Sequence, residues 1–556
     1  GKACMRGGLH VFGINDYQSL IRGGHNFYII RAAAEKIYSQ TDAIDLLLAL
    51  NKETVLLHKG ELVPGGGIVY DGEEVALSRE DLGRDDIKLY PVPLRGVVKE
   101  LGGEMIMRNT VSLGAAVALV DYDLAILEDV IRDAFKGDVA EINVKAAKMG
   151  YDHAKQRYGG TFEYRLEKLG TAGKGRMVLT GNEAVGMAAI RSGCKLYVGY
   201  PMTPVTPLLH FMAANDREYK MVVVQAEGEI AAINMVAGAF FAGARAMTAT
   251  SGGGFCLMTE GLGMMGMTET PAVVLLGQRS GPSTGLPTYS SQGDLRFVIH
   301  ASHGEFPRVV IAPGDVEECF YKTMEAFNLA EKYQVPVILL GDKSLLESHE
   351  STEPFDVNRV GIDRGLLLIG DEYKGEEEYK RHKFTEDGIS PRVILGTKGA
   401  IVRTNADEHD EYGYSTEDPE LTAKMMDKRF KKLDALVREL ENTETVKIYG
   451  PGEADITILG WGSTKGPIRE AMKLLNRDGV KVNYLQILYL HPFPTSKVQG
   501  ILKSARRTVV VEHNKTSLLT GLLRENTLRD VDHKILKYDG RPFNPGALAE
   551  KIGEVL

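Results

Sequence analysis

The chain is poor in the residues that staple or anchor a protein. Its 556 residues hold four cysteines, Cys4, Cys194, Cys256 and Cys319, far apart and without a CxxC pair. That spacing excludes a disulfide framework and a self-contained zinc or iron–sulfur site, and it points to a reducing cytoplasm. No metal site is expected on this chain. Apolar runs are short: none approaches the ~20 residues needed to cross a bilayer, and the start lacks the layout of a signal peptide, so no membrane is expected. Basic residues are outnumbered, 66 against 75 acidic ones for a net charge of −9, and no basic stripe is concentrated anywhere, which argues against nucleic acid as a partner. Aromatics are few at 7%, whereas 62 glycines promise many turns and close helix–sheet approaches.

What is present is an α/β pattern in several domains, as the length implies at ~100–200 residues per domain. Residues 1–154 mix strand-like runs, Phe27–Ile30 and Val55–Leu57, with Gly-rich pieces such as Gly65-Gly66-Gly67, and read as an α/β domain. It starts at Gly1 rather than Met, and Gly1 to Gly8 read like the middle of an element, so an N-terminal truncation is expected. Residues 155–176 are polar, basic and without apolar period from Lys155 to Lys174, which predicts a linker. Over 177–350 strand candidates recur at Leu196–Gly199, Met221–Gln225, Ala246–Ala249, Ala272–Leu276, Val309–Ile311 and Pro336–Leu340, with helical segments between most of them. The helix opening at Gly228 places Ile230, Ile233, Asn234, Ala237 and Phe241 at steps of three and four, which predicts that they form its buried face. Such alternation predicts a doubly wound parallel sheet. Residues 351–452, acidic at Glu376-Glu377-Glu378 and from Asp407 to Glu411, read as a connector ending in a charged helix from about Thr422 to Leu440. Residues 453–556 restore the parallel α/β pattern in a C-terminal domain.

Four polar or Gly-rich loops follow strands of the 177–350 domain. Tyr200-Pro201-Met202-Thr203-Pro204 is stiffened by prolines at a strand's C-terminal edge, where ligands bind in open α/β sheets; alone it could equally be a rigid turn. Glu229, beside Glu227, falls in the first turn of a helix, where a capping charge is the plain alternative. Thr250-Ser251-Gly252-Gly253-Gly254 lets a ligand approach backbone amides and, without a lysine, is not a nucleotide P-loop. Arg279, opening the Gly/Pro/hydroxyl loop that runs to Thr288, suits carboxylate binding. Parallel strands put these loops on one sheet edge, and their joint occurrence there points to a site.

These loops resemble the aminopyrimidine-binding domain of 2-oxoacid:ferredoxin oxidoreductases, in the form where gamma and alpha parts are fused in one chain. Tyr200–Pro204 is similar to that family's YPITP loop, with Met202 in place of Ile. Gly23-Gly24-His25-Asn26 resembles a segment of the gamma part, and Glu408–Glu411 with Thr416-Glu417-Asp418 resembles the connector. Gln486–Pro494 and Val511-Glu512-His513-Asn514 resemble the transketolase-C-like domain. The family's glycine-rich GxGGxG turn is missing at the start.

The resemblance implies thiamine diphosphate shared with a beta subunit, in a heterodimer or heterotetramer. Glu229 would be the catalytic carboxylate on the aminopyrimidine, with Tyr200, Pro201, Thr250, Ser251 and Gly252 also lining the cofactor. Thr203, Arg279 and Thr288 would bind the 2-oxoacid. Tyr289 departs from the family, in which many members have a basic residue there. No Gly-Asp-Gly followed by Asn and no cluster-binding cysteines occur, so Mg2+ and a [4Fe–4S] cluster are expected on the beta subunit. The implied reaction is oxidative decarboxylation of 2-oxoglutarate, pyruvate or a range of 2-oxoacids, with coenzyme A as co-substrate and ferredoxin as acceptor. A non-catalytic scaffold or nucleotide-binding subunit, and another thiamine enzyme such as a decarboxylase, are the alternatives.

Overall fold

The computed structural model describes residues 1–20, 23–170, 175–375 and 378–555. Glu376 and Glu377 of the acidic run, and Lys174 at the end of the basic stretch, lie outside the described residues. The chain forms two compact units, one of Gly1–Ile14, Arg22–Val178 and Glu350–Pro354, the other of Asn15–Ile21, Leu179–His349 and Phe355–Leu556.

The first unit carries a parallel three-stranded sheet of Ile44–Ala49, Leu62–Asp71 and Lys88–Val92, with helices Arg108–Leu119 and Asp138–Tyr158 packed together. Three expectations fail here. Val55–Leu57 lies in helix Lys52–His58, which Asn51 starts by accepting a hydrogen bond from Thr54 N at 2.8 Å; the cap outweighs the apolar run. Gly65-Gly66-Gly67 is inside a strand, and Gly67 is there for space, since a Cβ would lie 2.7 Å from the Tyr90 ring. The segment from Lys155 begins as the last turn of Asp138–Tyr158, and Phe162 beyond it is buried edge-on to Tyr90. Burying that one ring ties a polar stretch to the core.

The second unit is built on a seven-stranded sheet in the order Tyr489–His491, Val309–Ile311, Pro336–Asp342, Ala272–Gln278, Ala246–Thr250, Leu196–Gly199, Val222–Gln225. All neighbours pair parallel except Tyr489–His491, which runs antiparallel to Val309–Ile311. The strands Ala272–Gln278 and Pro336–Asp342 are buried throughout, as β-branched and leucine-rich strands covered on both faces must be. A second sheet, Val446–Tyr449, Val482–Ile487, Ile456–Gly460, Thr508–Glu512, His533–Leu536, is parallel apart from its first strand. Trp461, Leu485 and Leu519 from this sheet and the segments around it join the same core as Val273 and Leu339, so residues 453–556 pack into this unit rather than standing alone.

Helix Glu229–Phe241 is rotated from its expected setting. Ala232, Ile233, Val236, Ala237 and Phe240 are buried, whereas Ile230 is 57% exposed and Asn234 faces out. Steps of three and four fit two adjoining faces, and the small-residue face won because it packs on strands Leu196–Gly199 and Ala246–Thr250.

The connector is fastened by charge. Buried Glu269 accepts from Lys428 Nζ at 2.6 Å, lies 3.1 Å from His382 Nδ1, and faces Lys432 Nζ at 2.7 Å. Burial pushes its carboxyl up, yet the two ammonium groups and His382 hold it well below the usual range. Glu331, against the same upward push, is brought to about 2 by Arg364, Arg392 and Arg245. The Glu408–Glu411 signature is part of this fastening: Arg429 clasps Glu408 in a two-pronged pair, and Glu411 accepts from Phe384 N at 2.9 Å.

Candidate active site

In the seven-stranded sheet the chain leaves Leu196–Gly199 toward Val222–Gln225 on one side, and Ala246–Thr250 toward Ala272–Gln278 on the other. The crevice beyond the C-terminal ends of these two adjacent strands is therefore a topological switch point, the place where open α/β sheets take ligands. Register aligns the edge: Gly199 pairs with both Ala249 and Gln225, Thr250 with Leu276, and Gln278 with Asp342. The four loops singled out in the sequence all leave from this edge.

Tyr200, 39% exposed, and Pro201 form the open lip of the first loop, which ends in a cis Thr203-Pro204 bond. The Met202 carbonyl accepts from Val205 N and Thr206 N at 2.9 and 3.1 Å, which turns the chain into helix Thr206–Asn215. Met202 does more than fill volume. Its Sδ packs against Ser251 Oγ, joining this loop to the Gly-rich turn across the crevice. Arg279 Nη1 donates to the Thr203 carbonyl at 3.2 Å, and the rest of its guanidinium has no partner among the described residues. Burial lowers the Arg279 pKa, though it stays a cation, so half-buried positive charge with spare donors faces the loop.

Glu229 opens helix Glu229–Phe241 and is 4% exposed, while Glu227 before it is exposed. Its Oε1 is buried without a hydrogen-bond partner. Gly254 explains how it fits: a Cβ there would lie 2.0 Å from Thr250 Oγ1 and 2.4 Å from Glu229 Oε1. Only glycine lets the turn of Thr250, Ser251 and Gly252 close against this carboxylate. A buried acceptor left open in this way is suited to a ligand N–H, and through it to acid–base work.

Thr288 returns to the site because the loop after Arg279 closes on itself: Ser280 N donates to Tyr289 O at 3.3 Å and Leu286 N to Ser280 O at 2.9 Å. Its hydroxyl, like the Glu229 oxygen, is buried and without partner. Tyr289 turns elsewhere, its hydroxyl 3.3 Å from Asp16 Oδ1 and the Arg541 guanidinium 3.7 Å over its ring.

Sequence reasoning overlooked Asp294. Its carboxylate packs against the start of the Gly-rich turn, where a Cβ on Gly252 would meet Oδ2 at 2.7 Å, and its backbone N–H donates to Gln278 Oε1 at 3.0 Å. Burial pushes its pKa up to about 6. Two acidic side chains thus flank one turn. Nothing in the spacing of Asp294 marks it, since the approach is made through a loop that only the fold brings round.

Comparison with known proteins agrees over the whole chain. Three family models match: pyruvate ferredoxin/flavodoxin oxidoreductase over residues 1–153, the thiamine diphosphate-binding domain of pyruvate flavodoxin/ferredoxin oxidoreductase over 187–428, and pyruvate:ferredoxin oxidoreductase core domain II over 454–544. The chain is 34% identical to the 2-oxoacid:ferredoxin oxidoreductase subunit alpha of a Sulfolobus species, covering 100% of this chain and 94% of that one. It is 30% identical to the 2-oxoglutarate oxidoreductase subunit KorA of Mycobacterium tuberculosis, covering 96% and 83%. Among solved structures it is similar to a 2-oxoglutarate:ferredoxin oxidoreductase from Magnetococcus marinus with 2-oxoglutarate, coenzyme A and succinyl-CoA bound, at TM-score 0.90 and 34% identity over 100% of this chain and 95% of that one.

Proposed function

The chain belongs to the family of 2-oxoacid:ferredoxin oxidoreductase alpha subunits, and on that premise we propose that its switch-point crevice is half of a thiamine diphosphate active site completed by a beta subunit. The reaction is oxidative decarboxylation of a 2-oxoacid to acyl-CoA and CO2, with ferredoxin reduced. The observation that carries the reading is the buried, unpartnered Oε1 of Glu229 beside the Thr250–Gly254 turn. It fits an aminopyrimidine, whose N1′ needs one carboxylate partner. Thiamine diphosphate, when bound, supplies a nucleophilic carbon and an electron sink for the loss of CO2.

This chain's residues do the rest of its half. Glu229 holds a proton at the N1′ edge, while Tyr200, Pro201, Thr250, Ser251 and Gly252 wall the ring. Arg279 offers its remaining donors to the 2-oxoacid carboxylate, and Thr203 and Thr288 offer hydroxyls beside it. Mg2+ and a [4Fe–4S] cluster are assigned to the beta subunit, since this chain carries no Gly-Asp-Gly followed by Asn and no CxxC pair. Exposed apolar side chains on elements around the crevice, Val222, Ile230, Met235 and Leu257, suit a partner surface. Four free cysteines suit the cytoplasm. The Magnetococcus and Mycobacterium relatives favour 2-oxoglutarate within the substrate range, with coenzyme A as acyl acceptor.

The test is to co-purify the chain with its beta subunit and measure CoA-dependent viologen reduction by 2-oxoglutarate and pyruvate. Glu229→Gln is expected to lower turnover by about 10²–10⁴-fold with thiamine diphosphate still bound. Turnover at the wild-type rate would remove the assignment.

A further inference from the structure

The second parallel sheet has a switch point of its own. Ile456–Gly460 leads to Val482–Ile487 on one side, and its neighbour Thr508–Glu512 leads to His533–Leu536 on the other. A crevice of this kind takes a ligand in open α/β sheets. Here it is filled by the chain itself. Gln292, wholly buried, donates from Nε2 to the Trp461 carbonyl at 2.8 Å and accepts at Oε1 from His513 N at 2.9 Å. Its backbone N–H donates to the His513 carbonyl at 2.8 Å, and its carbonyl accepts from Asn514 Nδ2 at 3.3 Å. Trp461 and His513 are the first residues beyond the two strands, so Gln292 occupies the place of a ligand and satisfies both strand ends.

The grip is built from beneath by Glu512. Its buried carboxylate accepts from Trp461 Nε1 at 3.0 Å, Asn514 Nδ2 at 2.9 Å and Leu519 N at 3.0 Å. That network orients two of the three residues that hold Gln292, Trp461 and Asn514. The same stretch is held again at Ser290, which receives a hydrogen bond from Ser344 N at 2.9 Å, donates to Asp342 Oδ1 at 3.0 Å, and bonds through its own N–H to the Gly540 carbonyl at 3.0 Å. The anchored residues begin directly after Tyr289, whose carbonyl closes the loop on Ser280 beside Arg279.

We infer that Gln292, seated in the C-terminal sheet's switch point and braced by Glu512, is a positioning residue that sets the pose of the loop bearing Arg279 and Thr288. The inference rests on the reading that these two residues bind the 2-oxoacid. It assigns the Val511–Asn514 motif to substrate recognition at one remove and not to a ligand of its own. A short loop that carries a buried, unpartnered hydroxyl holds it in place only if its limbs are fixed, and this limb is fixed by the C-terminal segment.

The experiment uses the alpha–beta complex and follows KM and kcat for 2-oxoglutarate and pyruvate, thiamine diphosphate content and thermal midpoint. Gln292→Met removes the side-chain bonds at similar volume and is expected to raise KM about tenfold, the scale of one lost neutral hydrogen bond, with kcat and cofactor content near wild type. Gln292→Glu keeps the acceptor for His513 N but sets a carboxylate against the Trp461 carbonyl, so its KM should be high at pH 8 and fall toward wild type at pH 6, where a protonated Glu can donate again. A role in stability alone would lower the midpoint and move KM in neither variant, or leave the Glu variant without pH dependence, and either result overturns the inference. Thr288→Val separates the two readings. If it raises KM and Gln292→Met does not, the positioning role fails alone; if Thr288→Val leaves KM unchanged, the substrate reading beneath it fails.

Discussion

The second unit contains two crevices of the same topological kind, each between adjacent parallel strands whose connections leave in opposite directions, and they have opposite chemistry. At the first, beyond Gly199 and Thr250, buried polar atoms are left open: Glu229 Oε1 and Thr288 Oγ1 have no partner. At the second, beyond Gly460 and Glu512, every polar position of Gln292 is taken and the Glu512 carboxylate receives several donors. Fold geometry alone does not make a site. A switch point becomes one where the chain leaves its polar groups unsatisfied, and it becomes structure where the chain supplies the missing partners.

The comparison predicts that the open crevice is expendable for stability and the filled one is not. The largest effect is expected at Glu229. Glu229→Gln should lower turnover by about 10²–10⁴-fold, the range of a lost acid–base group, while the thermal midpoint holds because its buried Oε1 has no hydrogen-bond partner to lose. Viologen assays and melts on one preparation decide it, and a collapsed midpoint would mean that the two crevices do not differ. Glu512→Ala should do the reverse, costing roughly 2–4 kcal/mol in chemical denaturation by stranding the Trp461 indole, the Asn514 amide and the Leu519 N–H. Arg279→Lys follows, with KM for the 2-oxoacid up about tenfold because a point charge replaces a fork, and with denaturation unchanged.

Asp294 gives the smallest and most discriminating effect. Its pKa of about 6 lies above the ordinary 3.8, so the fold favours its protonated form. The associated stability is complete below pH 3.8 and is lost as pH rises through about 6. Asp294→Asn should therefore raise the thermal midpoint at pH 8 and leave it unchanged at pH 4. Equal shifts at both pH values would show that its carboxylate is solvated and not pressed against Gly252.

Much of this was legible in the order of residues. Six of the seven strands of the main sheet are short apolar runs closed by Gly, Pro or hydroxyl loops, and the structure has them at those positions within two residues. Tyr200, Thr250 and Arg279 stand out together because parallel strands put their loops on one sheet edge, although each loop alone has a plain structural reading. Val55–Leu57 misread because a cap one turn upstream outweighs a three-residue run. Ile230 and Asn234 misread because helical period cannot choose between neighbouring faces. The connector looked irregular because its order comes from two carboxylates, Glu269 and Glu331, that lie in another part of the sequence.

The sequence by itself determined the alternation of strand and helix, the parallel sheet that follows from it, and the loops at its edge, because apolar period and turn chemistry are local. Only the tertiary structure decided which buried groups are satisfied. Glu229 and Glu512 both end as buried carboxylates at a strand's C-terminal edge, and what separates them is that the fold brings Trp461 to Glu512, where Asn514 and Leu519 also donate, and brings no donor to Glu229 Oε1. Partnership across the fold depends on packing and not on the neighbours in the chain. That is why one crevice is left open to a ligand while Gln292 closes the other.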